Sequence, residues 1–559
     1  MGVSAPTSPA ASAASAGSGD APLGWRLACA GTSLTIGLAQ SLGLHLVSGN
    51  LSNIQGSIGA TATEAGWLTT AYFATALSAT MLLAKFRLHF GLRPFAVVGL
   101  LAFLAASYLH LHANSLATAL AARAALGLAA APLSTLAVYY MMAAMPRPLV
   151  VVGLLLGFGT LQLGMPLSRV ISTDLLEMGQ WHGLFVVDVA LAMVSMAAIS
   201  VVTLPAMPQR NAFCPADAIT APLYAGGLAL ICIVVSQGRS HWWTDASWLG
   251  WCLVAGIALL ALYVVVELTR SNPMVDLRWT FSPYMLRFMA SVILFRVVLS
   301  EQTTGVVGLM AALGQSNEQM QALFVYVLIG TMLGFGVAIW FAIKGWPYWL
   351  AIFGSALVVI SGLMDAQATA LTRPEQLYVS QTLLAVALAV FFSASCLLGF
   401  GPVIREGNVN IVSFLAAFSF AQFMGSLIGA AWVSSYVYER QQYHLQLLWQ
   451  HLRVDDPSVG ARLRTYTSVV SRVVGDRSEQ LHQGLSLLAQ SIQRESLVLA
   501  YVDLFHAVAL IGTGMLLWFT FLMLRARRIA HGVAAAAAKA ASSSATSAST
   551  PAVAPASTN

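Results

Sequence analysis

Fourteen separate apolar runs, most of them about twenty residues or longer, punctuate this 559-residue chain and constrain its fold more than any motif does. A bilayer's hydrocarbon core is about 30 Å thick, so a run of that length crosses it as one helix. Lipid offers the backbone no hydrogen bonds, and a helix supplies its own. The runs fall near 25–52, 65–85, 94–112, 115–145, 148–171, 183–205, 218–236, 247–267, 283–309, 318–343, 347–365, 376–402, 408–436 and 499–524. With 58% apolar and only 9% charged residues, against roughly 25% charged in soluble proteins, the chain cannot solvate a water-exposed surface. An all-α polytopic membrane protein follows. Soluble enzymes, nucleic-acid binders and disulfide scaffolds are excluded. The five cysteines, Cys29, Cys214, Cys232, Cys252 and Cys396, show no metal or redox spacing, and neither metal nor cofactor is expected.

An even number of spans puts both termini on one side of the membrane. With the termini cytoplasmic, the inner segments hold most of the basic residues, among them Arg26, Lys85, Arg87, Arg93, Arg270 and Arg405. The short outer loops hold only Arg169, Arg239 and Arg373, so the net charge of +6 reads as an orientation signal. Residues 1–22 and 526–559, rich in Ala, Ser and Pro, are expected to be disordered tails. The first span has no basic region before it, which argues against a cleaved leader. One outer loop, 437–497, is long and helix-periodic in three pieces: Leu445, Leu448 and Leu452; Leu463, Val470 and Val473; Leu481, Leu485, Leu488 and Ile492. Asp455, Asp456 and Pro457 separate the first two. Such stripes pack on each other, on the membrane surface or on a partner protein.

Glu267-Leu268-Thr269-Arg270-Ser271-Asn272-Pro273-Met274-Val275-Asp276-Leu277 resembles the ELTxxNPxVDL segment after the eighth span of the fourteen-span drug:proton antiporters (EmrB/QacA type) of the major facilitator superfamily. Trp67 to Tyr72 is similar to that family's opening of span 2, Trp181 to Asp188 to its WRWIFxIN before span 6, and Gly238 to Trp243 to its turn after span 7. Gln493, Leu497, Ala500, Tyr501, Asp503 and Phe505 match a run at the end of the long loop in Gram-negative members. The resemblance implies two six-helix bundles, 23–210 and 271–525, with two linker spans within 211–270. It also implies a midplane substrate site exposed alternately to either side, driven by protons.

Several signature positions depart from the family. Aligned from Trp67, the acid expected in span 1 falls on Gly43 and the pattern's Pro on Ser52. In the loop after span 2, Leu88 stands about where an acid belongs. In span 5 the family's G-P-x-x-G-G becomes Gly164-Met165-Pro166-Leu167-Ser168-Arg169, a packing and bending element in which Arg169 closes the outer end, binds an anion or snorkels.

A charge at the bilayer centre costs at least about 2.5 kcal/mol, so each one needs a partner, a wet cavity or a job. Arg123 matches the family's R-x-x-Q-G, with Leu126 in place of Gln. It is either a proton-linked or anion-binding group, or a structural Arg satisfied by carbonyls. Asp188 stands where the family has Asn, and is either a proton carrier or a hydrated interfacial acid. Arg296 and Glu301 in span 9 point about 140° apart and address different neighbours. Glu301 is the proton-linked or cation-sensing candidate of the second bundle, with a structural carboxylate as the alternative. Arg296 and Gln302 are cavity candidates. Ser41, His45, Ser48, Ser52 and Gln55 form a stripe on span 1 that lipid would reject, so they are expected to line the cavity, with His45 able to titrate near neutral pH. A packing histidine is the plainer reading of His45.

These residues lead to proton-coupled efflux of amphipathic, anionic or aromatic organic compounds across a bacterial inner membrane. Its partners would be the solute, protons and lipid, with a periplasmic membrane-fusion adaptor and an outer-membrane channel completing a tripartite pump. An uncoupled facilitator or sensor of the same fold is the alternative, and a lipid-linked glycan polymerase a more remote one.

Overall fold

The apolar runs satisfy their backbones as helices, and their ends follow from local chemistry. The computed structural model describes residues 22–177, 181–204, 213–270, 276–405, 411–452 and 456–548, and no strand occurs among them. The long helices are α1 (Leu23–Gly49), α2 (Ala62–Phe90), α3 (Leu92–His110), α4 (Leu116–Ala144), α5 (Val150–Gln162 and Gly164–Glu177), α6 (Gly183–Val201), α7 (Asp217–Gln237), α8 (Ser247–Thr269), α9 (Pro283–Ala312), α10 (Asn317–Lys344), α11 (Pro347–Asp365), α12 (Tyr378–Arg405), α13 (Ile411–His451), α14 (Pro457–Val470) and α15 (Arg477–Ala548). All but α14 are of membrane-spanning length. Thirteen of them are long and apolar enough to cross a membrane by composition as well, and the fourteenth, α2, is 29 residues long and packs among them. Capping boxes at Thr61/Glu64 and Ser316/Gln319 start α2 and α10, and Gly345, at φ 70°, ends α10 in the left-handed region that glycine enters without strain.

Helices α1 to α6 pack on one another around Phe103, Leu126, Leu133 and Phe185, all fully buried or nearly so. Helices α9 to α13 and α15 form the second bundle around Phe295, Phe391, Phe392 and Phe414. Close approach within the first bundle rests on small residues. A Cβ at Gly157 would sit 2.8 Å from the Val138 Cα, and one at Gly153 2.9 Å from the Met141 carbonyl oxygen. The bundles meet along α5 with α10 and α2 with α13. The α7–α8 hairpin lies against α2 and α13, held by Thr70–Ser236 (2.7 Å) and Gln237 donating to Thr70 (2.8 Å). Trp251, Val254 and Val265 of α8 are exposed, as a lipid-facing helix requires.

The predicted loop between the last two spans is instead an arm built largely from its neighbours. α13 is 41 residues, about 60 Å, twice the thickness of a hydrocarbon core, and its far end carries Leu445 and Leu448. The third predicted piece is the start of α15. Only α14 is a separate helix, seated on α15 where Gly484 admits Thr467. Arg440 and His444 on α13 both donate to Asp503 on α15, at 2.6 and 2.7 Å, and tie the arm's base. The predicted apolar stripes divide: Val470, Leu488 and Ile492 are buried, whereas Val473, Leu481 and Leu485 are exposed. Asp455 and residues 1–21 and 549–559 of the predicted tails lie outside the described residues. In the described part of the second tail α15 continues to Ala548 through an Ala-rich stretch, alanine being the best helix former.

Candidate functional site

Between the bundles lies a cavity of 330 Å³, within the range of small-molecule sites. Nearer the start of α5 the bundles meet beside it at an aromatic seam: Phe158 of α5 packs on Phe392 and Phe418, and Phe335 packs on Phe392 and beside Gly159. Further along α5 the α5–α10 seam combines apolar packing of Met165 and Val170 on the second bundle with hydrogen bonds. Arg169 Nη1 donates to Asn317 Oδ1 (2.9 Å), Asn317 Nδ2 donates to Asn50 Oδ1 (3.3 Å), and Gln321 donates to the Val170 carbonyl (2.7 Å).

The cavity wall carries Arg169, Arg239, Arg296 and His45, and no carboxylate among the described residues that line it. Arg239 donates to the Ser434 carbonyl and lies 4.2 Å over the Tyr438 ring, and Arg296 donates to Gln422. Gln302, Ser48 and Pro166 also line the wall. Arg169 turns inward rather than snorkelling, between Asn317 and the Phe324 ring.

The span 1 stripe is only half assembled. His45 and Ser48 reach the cavity. Ser41 is buried against α5, donating to the Leu161 carbonyl (2.5 Å) at the point where Gly164 allows contact. Asn50 bonds back to the Leu46 carbonyl and ends α1, so Ser52 and Gln55 sit on a separate helix, Leu51–Ile58, away from the wall. The i, i+4, i+7 pattern ran through a helix break.

Deeper in the first bundle, Arg123 of α4 is 1% exposed. Its Nη1 donates to the Gly43 carbonyl (2.6 Å), its Nε to the Leu68 carbonyl (3.3 Å), and its guanidinium lies 4.6 Å from the Tyr72 ring centroid. Asp188 of α6 is fully buried, and neither of its carboxylate oxygens has a hydrogen-bond partner. A Cβ at Gly43 would lie 3.5 Å from Asp188 Oδ2. Asp188 thus brings a carboxylate from α6 beside the α1 position where the sequence resemblance predicts one.

Another buried acid meets the end of α2 that is predicted to be cytoplasmic. Lys85 Nζ meets both oxygens of Asp217 (2.8 and 2.9 Å), and Arg270 bridges Asp217 (2.6 Å) and Glu267 (3.1 Å). Asp217, from α7, was not among the residues singled out from sequence, where it reads as a helix-start acid. Of the ELTxxNPxVDL-like segment, residues 271–275 lie outside the described residues. Asp276 caps the short helix Leu277–Thr280 through Trp279 N (3.1 Å). Glu301 is fully buried and accepts from Gln381 of α12 (3.2 Å), while Gly305 and Gly308 below it admit Leu504 and Tyr501 of α15. Asp365 and Gln381, which join Glu301, also escaped sequence reading, because each sits at the end of an apolar run where a polar residue is unremarkable.

Solved structures with the same architecture are major facilitator transporters. The human organic anion transporter MFSD10 (TETRAN) matches with TM-score 0.51 at 12% identity, over 87% of this chain and 99% of that one. Tetrameric PepTSo2 matches with TM-score 0.53 at 13% identity, over 90% and 99%. The proton:xylose symporter XylE, bound to 6-bromo-6-deoxy-D-glucose, matches with TM-score 0.50 at 12% identity, over 87% and 96%. No family model matches the sequence, and no curated protein matches it by sequence. At these identities the likeness establishes the fold: an all-α, polytopic major facilitator fold, here with the α7–α8 pair between its two bundles.

Proposed function

We propose that this protein is a proton-coupled exporter of amphipathic organic anions, of the fourteen-span drug:proton antiporter type, working in a bacterial inner membrane with both termini cytoplasmic. The observation that carries the reading is the inter-bundle cavity, walled by three arginines and a histidine, with no carboxylate among the described residues that line it. Neighbours of this fold include an organic anion transporter and a sugar symporter, so fold alone leaves the cargo open, and the charge of the wall is what supports an anionic one. A low-dielectric wall holding fixed cations favours a bound anion strongly over a neutral or cationic solute. Rocking of the bundles would expose that anion to either side in turn. The buried acids Asp188 and Glu301 are the proton-linked groups of this reading, and the α13–α14–α15 arm, projecting on the periplasmic side, is the docking element for an adaptor.

Reconstitution in proteoliposomes tests it, with a fluorescein-type carboxylate and a rhodamine-type cation of similar size as probes. Carboxylate transport that rises with an opposing proton gradient, and that Arg296→Gln weakens, supports the reading. Transport that runs only down the solute's own gradient would make the protein a facilitator, and preference for the cation would refute the anionic assignment.

A further inference from the structure

The second bundle contains a pair of carboxyl groups with no ion-pair partner among the described residues. Glu301 begins a π-helical turn, Glu301–Val306, inside α9, a wide turn of the kind that recurs at functional sites. Asp365 ends α11. Both are fully buried, and one amide nitrogen joins them: Gln381 Nε2 of α12 donates to Asp365 Oδ2 (2.8 Å) and to Glu301 Oε1 (3.2 Å). Ser380 Oγ donates to Asp365 Oδ1, and Ser361 lies against both Asp365 and the Ser380 carbonyl. Glu301 Oε2 has no partner.

The charged and titratable groups on the surrounding helices are engaged elsewhere. Arg296 of α9 is bonded to Gln422, Arg440 and His444 of α13 are paired with Asp503 of α15, and Tyr501 of α15 faces Gly308. Neither carboxyl group has a salt bridge among the described residues. Two carboxylates sharing one buried site cannot both carry charge without a counter-ion.

We infer that Glu301 and Asp365 form a proton-binding site that holds one exchangeable proton between them, and that Gln302 and Gln381 connect this site to the substrate cavity. Gln302 lines the cavity, and its Nε2 donates to Oε1 and to the carbonyl of Gln381, at 3.1 and 3.2 Å. A solute that engages Gln302 therefore pulls on the amide that bonds both carboxyls. The proton enters from water and leaves to it through the cavity, and no other bond is made or broken. The role in coupling rests on the transport reading above, whereas the site itself is testable without any substrate.

The experiment is infrared difference spectroscopy of the purified full-length protein in lipid, stepped in pH, in H2O and D2O. Wild type should show a titrating, deuterium-sensitive carboxylic acid C=O band that disappears in Glu301→Gln and in Asp365→Asn. Gln381→Leu should keep the band and shift its frequency, because the amide that donates to both groups is gone, and this variant retains both acids if either isosteric change misfolds. A band unchanged in both acid variants, or in Gln381→Leu, overturns the inference. So does loss of the band when choline chloride is replaced by sodium or potassium chloride at constant pH, which would make the pair an alkali-cation site. If the band behaves as expected while proteoliposomes move no organic anion, the proton site stands and the transport reading fails.

Discussion

Asp188 has no hydrogen bond on either oxygen and no exposure to solvent, and the Arg123 guanidinium lies near enough to interact with it electrostatically. Such an acid exchanges its proton readily only when something changes around it, and the changing element is α1, whose Gly43 carbonyl Arg123 also holds. Asp188→Asn should leave binding of the fluorescein-type probe intact while reducing proton-driven transport by about a hundredfold, the scale of a lost proton-transfer group. Adding Gly43→Asp should restore part of that transport, since the new side chain starts 3.5 Å from the vacated position. The Phe103 ring, 3.1 Å away, limits the recovery. No recovery in a folded double variant would show that the two positions are not interchangeable. Sequence alone supplied Asp188 and the missing acid at Gly43 as separate facts. Their coincidence depends on α1 meeting α6 across 145 positions of chain, a tertiary contact that no local pattern encodes.

The α7–α8 hairpin is fastened at one end by charge. Lys85, Asp217, Glu267 and Arg270 are all nearly buried, and Asp217 serves cations from two other elements. Removing one partner of a buried pair strands the others, so Asp217→Ala should lower stability by roughly 3 kcal/mol, read as a drop in the thermal midpoint in detergent. A Lys85→Met/Asp217→Leu double variant should recover much of that loss, because an apolar replacement strands fewer charges. The α4–α5 contact is fixed by shape instead. Gly157→Val would drive a side chain into Val138 backbone and should cost at least about 1–3 kcal/mol by the same assay. The spans these contacts join were legible from apolar length, whereas the pairing of Asp217 with Lys85 and Arg270 was not. The arm was legible only in part, because helix periodicity marks a face without saying what covers it. Leu488 and Ile492 found cover, while Leu481 and Leu485 on the same stripe remain exposed. The Ser41–Gln55 stripe failed for a different reason: Asn50 can turn its amide back onto its own helix, and the pattern carries no mark of that choice.

The two bundles touch through unlike surfaces on the two sides of the cavity, and that asymmetry says how the molecule would move. The aromatic seam at Phe158, Phe335, Phe392 and Phe418 buries apolar area without directional bonds, so it can part and re-form as the bundles rock. The opposite seam adds to the packing of Met165 and Val170 a few directional hydrogen bonds between Arg169, Asn317 and Asn50, each worth on the order of 1 kcal/mol net. Hydrogen bonds that weak can open in each cycle, and a covalent link across the seam should stop the cycle. Cysteines at positions 50 and 317, in a chain whose half-buried Cys214 and Cys252 are changed to Ser, should be joined by a short bis-methanethiosulfonate, which forms a reducible disulfide with each thiol and releases methanesulfinate. Linked protein should lose probe transport, regain it on reduction, and still bind the probe from the side that remains open. The same treatment of Thr70→Cys/Ser236→Cys, a pair that joins α2 to the linker hairpin rather than bundle to bundle, should leave transport largely intact. Full transport by the 50–317 linked protein would mean that the α5–α10 seam does not separate, and alternating access by rocking would have to be abandoned for this chain.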